Sequence, residues 1–141
     1  MREFDSLADN TIVYRALLRK QWIDEDTGKV KADAYFLRAN ERGLSVNLAG
    51  ACSPRQCAKF FRKCYGVASL EVGGIREVGL NVEQNSVNHA NIVGLPDRDN
   101  NLAEAERLAG LLAKQSSNCM ATRLKRINSR HHRRQNLGIE G

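Results

Sequence analysis

The chain has 141 residues, 42% of them hydrophobic and 27% charged, with a net charge of +6; such a chain fits one globular domain with a real core. No apolar run approaches the ~20 residues that cross a bilayer, and the first five residues lack the basic start and apolar stretch of a secretory signal, so a cytoplasmic protein without membrane contact is expected. The charge is uneven: beyond residue 120, Arg123, Lys125, Arg126, Arg130, Arg133 and Arg134 stand against Glu140 alone, which leaves that tail at +5 and the first 120 residues at +1.

Residues 1–10 read as a loosely held N-terminal arm, with Phe4 and Leu7 as the side chains able to dock on the body. Thr11 to Leu17 is rich in β-branched and aromatic residues and predicts a strand. Trp22 and Ile23 are expected against the core, and Asp24 to Lys29 as a turn in which Gly28 takes a positive φ. The acids of that turn lack the twelve-residue spacing of a calcium loop. Ala34 to Arg38 reads as a second short strand or an extended segment. Leu44, Val46 and Leu48 alternate with Ser45 and Asn47, the clearest strand signal in the chain.

Ser53 followed by Pro54 suits a helix start, and Cys57, Ala58, Phe60, Phe61 and Cys64 at helical spacing carry the expected helix to residue 64. Gly66 to Val72 returns as a strand that Gly73-Gly74 breaks; Ile75 to Val78 makes one helical turn, and Gly79 to Val82 resumes an extended path. In Asn88 to Pro96, alternation sends His89, Asn91 and Val93 to one face and Ala90, Ile92 and Gly94 to the other. Asn101 with Glu104 resembles a capping box, opening a helix to about residue 116 with Ala105, Leu108, Ala109 and Leu112 as its core stripe. Beyond residue 120 too few large apolar residues remain to offset the cost of ordering, so the tail is expected to be disordered or to fold on a partner.

These elements predict an α+β domain over residues 11–118, a small and mostly antiparallel sheet packed by helices at 54–64 and 101–116, followed by a flexible basic tail over 119–141. If the strands meet, Arg15, Ser45, Asn47, His89 and Asn91 gather in one polar cleft beside Tyr14. Each has a plainer role available: Ser45 and Asn47 facing water, Arg15 paired with an acid, His89 hydrogen-bonded at a strand end. Cys52, Cys57, Cys64 and Cys119 lack the tight C-x-x-C spacing of zinc sites and read as buried thiols. His131-His132 is too short a run to hold a metal, and neither a P-loop nor a dinucleotide fingerprint is present. No metal is therefore expected.

Four blocks, Ile12 to Arg15, Gly43 to Val46, Ile75 to Val82 and His89 to Gly94, resemble a family of small bacterial proteins of unassigned function, over roughly residues 10 to 116. That resemblance implies one domain and carries no activity. An arginine on an early strand followed by a serine-bearing strand is faintly similar to ADP-ribosyltransferases. The likeness implies NAD as cofactor, with Arg15 on its phosphate or ribose, Ser45 at the nicotinamide pocket, His89 on ribose hydroxyls and Glu83 steering an acceptor. Ser45-Val46-Asn47 departs from that superfamily's Ser-Thr-Ser, and no Glu-x-Glu or Gln-x-Glu pair appears.

The tail points elsewhere. Arginine offers bidentate contacts to phosphate and stacks on bases, and arginine-rich segments fold on RNA. The function expected first is nucleic-acid binding, of RNA above all, through Arg123, Lys125, Arg126, Arg130, Arg133 and Arg134. Tyr14, Asn47 and Asn91 would help a polar cleft to hold a nucleotide-like ligand, with no cofactor. The alternatives are a small toxin-like enzyme using Arg15, Ser45 and His89 for ADP-ribosyl transfer or RNA cleavage, and a module that docks a protein partner.

Overall fold

A computed structural model describes residues 6–38 and 41–119. The first five residues and the basic tail from residue 120 onward, with its six arginine and lysine candidates, lie outside the described residues. Among the described residues the chain forms β1 (Ile12–Leu17), β2 (Gly43–Leu48), α1 (Pro54–Lys59), β3 (Gly66–Glu71), α2 (Val72–Glu77), β4 (Asn81–Gln84), β5 (His89–Val93), α3 (Leu102–Gln115) and β6 (Ser117–Asn118), with 3-10 turns at Lys20–Trp22 and Ala32–Tyr35. All strand pairs are antiparallel, in the order β4-β5-β2-β1-β3-β6. The fold is α+β, and no helix among the described residues is long and apolar enough to cross a membrane.

Period-two alternation gives the sheet two unlike faces. The inner face carries Val13, Leu17, Leu44, Val46, Ala90 and Ile92, buried against Val72 and Ile75 of α2, Leu108 and Leu112 of α3, and Tyr35. The outer face carries Ala16 and Val67, which pack with Cys52 and Cys57 under α1. Ser45, Asn47, His89 and Asn91 share that outer face. α1 covers only the part of it over β1 and β3, so the polar strands β2 and β5 stay open.

Several local expectations give way to side-chain contacts. Ala32–Tyr35 is a 3-10 turn, not a strand, because it buries Ala34 and Tyr35 beneath the sheet; only Leu37 makes an isolated bridge, to Asp97. α1 ends at Lys59, not residue 64. Its Ser53–Gln56 capping box is complete, but Cys57 is its sole buried residue, and a short helix without packing does not propagate. Cys64 consequently leaves the helix, and its thiol donates to the Gly66 carbonyl at 3.1 Å. Gly73-Gly74 lies inside α2: the absence of a side chain at Gly73 admits Asp9, whose carbonyl accepts from the Gly73 N–H at 2.7 Å. The arm is docked from Ser6 onward, since Arg76 ion-pairs with Asp9 and bonds Ser6. At α3 only half of the capping box forms; Asn101 accepts from the Glu104 N–H, while the Glu104 carboxylate turns to Arg107. The Asp24–Lys29 turn forms as expected, with Gly28 at φ 75°.

The sheet is forked. β1 pairs with β3 from Ile12↔Glu71 to Leu17↔Gly66, and β2 pairs with β5 from Gly43↔Val93 to Asn47↔His89. Between β1 and β2, however, the ladder holds only Val13↔Leu48 and Tyr14↔Asn47. Past Tyr14 each strand follows its other neighbour, and a gap opens.

The β2–β5 limb depends on close backbone approach. A Cβ on Gly43 would meet the Ile92 carbonyl at 2.8 Å and Asn91 Cβ at 3.0 Å, whereas one on Gly50 would meet nothing within 4 Å. Gly43→Ala is expected to destabilise the fold by about 1–3 kcal/mol and Gly50→Ala by no more than ~0.5 kcal/mol. Urea midpoints of the two variants check this, and equal midpoints would contradict the limb's tight pairing.

Candidate functional site

Arg15 is the side chain that the fork exposes. Its register partner is Ala68, a buried inner-face residue, so Arg15 emerges on the face opposite Ser45 and Asn47. The guanidinium then turns into the gap. Nε donates to the Ala34 carbonyl and Nη1 to the Ser45 carbonyl, both at 3.1 Å, while the group lies 5.4 Å from the centre of the Trp22 ring. The bond to Ser45 caps a carbonyl whose strand has lost its β1 neighbour. Nη2 bonds nothing among the described residues, nor does Arg15 ion-pair: the salt bridges there are Arg76–Asp9 and Arg107–Glu104. Burial lowers the pKa of Arg15; Tyr35 and Glu41 oppose that shift, and Arg38 adds to it.

Around this cation lies a cleft of about 450 Å³. Arg15, Ser45, Asn47 and His89 line it, and because the fork is open to both faces of the sheet its walls come from both. Trp22 and Phe36 stand on one side, Phe60 and Phe61 on another, with Arg38 and Glu41 also lining the cavity. Phe60 is 55% exposed and Phe61 37% exposed, two adjacent aromatic side chains open to solvent.

The ring of His89 is held by Asn85, whose Oδ1 lies 2.8 Å from Nδ1. With that oxygen as acceptor, Nδ1 carries the hydrogen and Nε2 keeps its lone pair. Burial lowers the pKa of His89 below its ordinary value. Asn47 is more committed: its Nδ2 donates to the Asn88 carbonyl at 3.3 Å and its Oδ1 accepts from the Cys57 thiol at 3.5 Å. Ser45 is exposed.

Two residues of the expected ligand set, Tyr14 and Asn91, lie outside the cleft wall. Tyr14 does not line the cleft. It packs with Cys52, Cys57 and Ala16 beside α1, where burial, and then the thiols of Cys119, Cys52 and Cys57, raise its pKa. Asn91 lies opposite Ser45 and Glu83 on the open outer face, outside the cavity wall, and Glu83 is no nearer. Side-chain alternation put these residues on the correct face, but the fork, which no single strand encodes, decides which ones meet.

Trp22, Phe36, Phe60, Phe61, Arg38 and Glu41 carry no individual sequence signal as a site. Trp22 and Phe36 do touch the core, and Tyr35 is wholly inside it; Phe60 and Phe61 were expected on the buried stripe of a longer helix and instead leave it for the cleft. Tyr35's hydroxyl makes no well-formed hydrogen bond among the described residues, and burial pushes its pKa up to about 12 despite the nearby Ser116 and Arg15. Cys52 and Cys57 are buried free thiols, and burial pushes Cys57 up to about 12, so it is no nucleophile at neutral pH. Among the described residues no cluster of three or more His, Cys, Asp or Glu side chains is placed to hold a metal ion.

No known family, no curated protein and no solved structure matches this chain.

The depressed pKa of His89 has a defined sign in stability. On acidification the unfolded chain takes up the proton first, so the stabilising contribution is full above pH ~6.5 and is lost as pH falls through the lower folded value. Urea midpoints measured from pH 7.5 to pH 5 are expected to fall further in the wild type than in His89→Gln. Parallel pH profiles would show that the ring is not desolvated.

Proposed function

We propose that this protein binds single-stranded nucleic acid, RNA above all, in the cytoplasm, with a nucleotide held in the forked cleft and the arginine-rich tail adding charge along the strand. The observation that carries the reading is Arg15: a half-buried cation in the fork, tied to two carbonyls, unpaired with any carboxylate and with donors still free among the described residues. Burying a charge without a counter-ion is costly, and a bound anion removes that cost. A guanidinium suits phosphate because its planar fork matches two phosphate oxygens.

The surroundings narrow the anion. Trp22, Phe36, Phe60 and Phe61 offer faces and edges on which a base stacks, and stacking beside arginine is the usual basis of single-strand binding. A duplex has no base free to enter such a cavity. The Ser45 hydroxyl and the bare Nε2 of His89 can meet a ribose 2′-hydroxyl, the group that distinguishes RNA from DNA. NAD-dependent transfer has less support, since Glu83 lies outside the cleft. RNA cleavage is the second reading, favoured by the Asn85-oriented imidazole of His89, which can accept a proton through Nε2.

The test is fluorescence anisotropy with a single-stranded RNA of about twenty nucleotides over a salt series. Arg15→Met is expected to weaken binding at low salt by about tenfold or more, in line with loss of a hydrogen-bonded charge. Replacing the six tail arginine and lysine residues by glutamine is expected to flatten the log–log salt slope by up to about 4. If both variants bind as the wild type does, or the wild type does not bind, the proposal fails. Shortening of the RNA by wild type but not by His89→Gln would establish the cleavage reading.

A further inference from the structure

The cleft has a neighbour. A second groove of about 410 Å³ adjoins it, and the two share Trp22, Phe36 and Arg38. The shared wall is built, not incidental. The 3-10 turn Lys20–Trp22 supplies Trp22, and Phe36 follows directly on the turn Ala32–Tyr35. The bridge Leu37↔Asp97 ties Phe36 and Arg38 to the loop that carries Arg98 and Asp99. Each aromatic ring has a guanidinium nearby: Arg15 is 5.4 Å from the centre of Trp22, on the cleft side, and Arg98 is 4.5 Å from the centre of Phe36, on the groove side.

The two chambers differ in charge. Arg15 and Arg38 outnumber Glu41 in the cleft, which favours an anion. In the groove Arg19, Arg38 and Arg98 are matched by Asp33, Asp97 and Asp99, yet none of these six makes a salt bridge among the described residues. Asp97 accepts from the Asp99 N–H; among the described residues the Asp33 and Asp99 carboxylates have no such bond. A balanced set of donors and acceptors beside aromatic rings suits the edge of a nucleobase, which offers both. An acidic peptide would satisfy Arg15 and Arg38 but would bring its carboxylates against Asp33 and Asp99.

We propose that the cleft and the groove form one site for two consecutive nucleotides, with one base in each chamber, the linking phosphate at Arg38 and the 5′ phosphate at Arg15. This rests on the nucleic-acid reading above and adds to it a ligand length and a direction. Each chamber falls in the range of roughly 300–1,000 Å³ of small-ligand pockets, room for one nucleotide each. Arg38 fits the linking position because it is the basic residue lining both.

Titration calorimetry of the full chain with a nucleoside 5′-monophosphate, a 5′-phosphorylated dinucleotide and an RNA of about twenty nucleotides tests this. The dinucleotide is expected to bind about fivefold more tightly than the mononucleotide, or better, the low end of what one stacked base adds. Arg98→Gln and Asp33→Asn, on exposed side chains and checked for an unchanged melting temperature, are expected to bring the dinucleotide down toward the mononucleotide and leave the latter unaltered. Removing the 5′ phosphate should weaken the dinucleotide in the wild type and have little effect in Arg15→Met. Equal affinity for one and two nucleotides, or groove variants that weaken both ligands alike, would overturn the two-chamber site while leaving nucleic-acid binding in place. If the long RNA binds and neither short ligand does, the site is again overturned and the tail carries the binding; if nothing binds, the underlying reading falls as well.

Discussion

The hydrogen bond from Arg15 to the Ser45 carbonyl holds the position on which the rest of the site depends. β1 cannot follow β2 and β3 equally: it pairs with β3 for six residues and with β2 for two. Where it leaves β2, the facing edges hold backbone groups that need new partners. One of them, the Ser45 carbonyl, takes a side-chain donor from the departing strand itself. The same guanidinium reaches the Ala34 carbonyl beneath the sheet, so a single residue links β1, β2 and the turn that covers the inner face. The gap is thereby kept open, and residues from opposite faces come to line one cavity.

That arrangement separates stability from recognition. The inner face is a conventional apolar layer, with Val13, Val46 and Ile92 fully or nearly fully buried against α2 and α3. β2 and β5 give their apolar side chains, Leu44, Val46, Ala90 and Ile92, to that layer and turn Ser45, Asn47, His89 and Asn91 to the other face, where α1 stops before covering them. Phe60 and Phe61 follow from this. A helix continued to residue 64 would need a surface on which to bury them, and the residues beyond Lys59 leave the helix instead. The apolar area left exposed there is what gives the cleft its aromatic wall.

Much of this was readable along the chain wherever a period was strict. The alternation in Leu44 to Leu48 and in His89 to Val93 assigns each side chain to its face, and the observed ladder Asn47↔His89, Ser45↔Asn91 agrees. The stripe Ala105, Leu108, Ala109 and Leu112 is likewise the buried side of α3. Where the period is short or broken, tertiary contacts decided: Ala34-Tyr35 turns because both side chains find the core, and Gly73-Gly74 lies in a helix against which Asp9 and Gln115 pack where side chains would be. Arg15 is the instructive case. Alternation places it with Val13 and Leu17 on the inner face, away from Ser45 and His89, and only the loss of β1–β2 pairing after Tyr14 reunites them. Such a gap is a relation among three strands, and no window of sequence contains it.

The choice of arginine at residue 15 carries one more step. Capping the Ser45 and Ala34 carbonyls requires donors, not charge, and a neutral amide side chain such as glutamine would supply donors without desolvating a cation. Against that alternative, a positive group that burial disfavours, with Arg38 adding repulsion and no carboxylate in salt-bridge contact, is the less stable solution for the fold alone. Glu41 attracts it only across the cleft, while the Glu41 carboxylate accepts from the Arg38 N–H. The charge becomes favourable when an anion enters the fork, and the cost carried by the empty site then becomes affinity. Proteins concentrate such unfavourable local choices at functional sites. Among the described residues Arg15 is the side chain where this conflict meets a cavity large enough to resolve it.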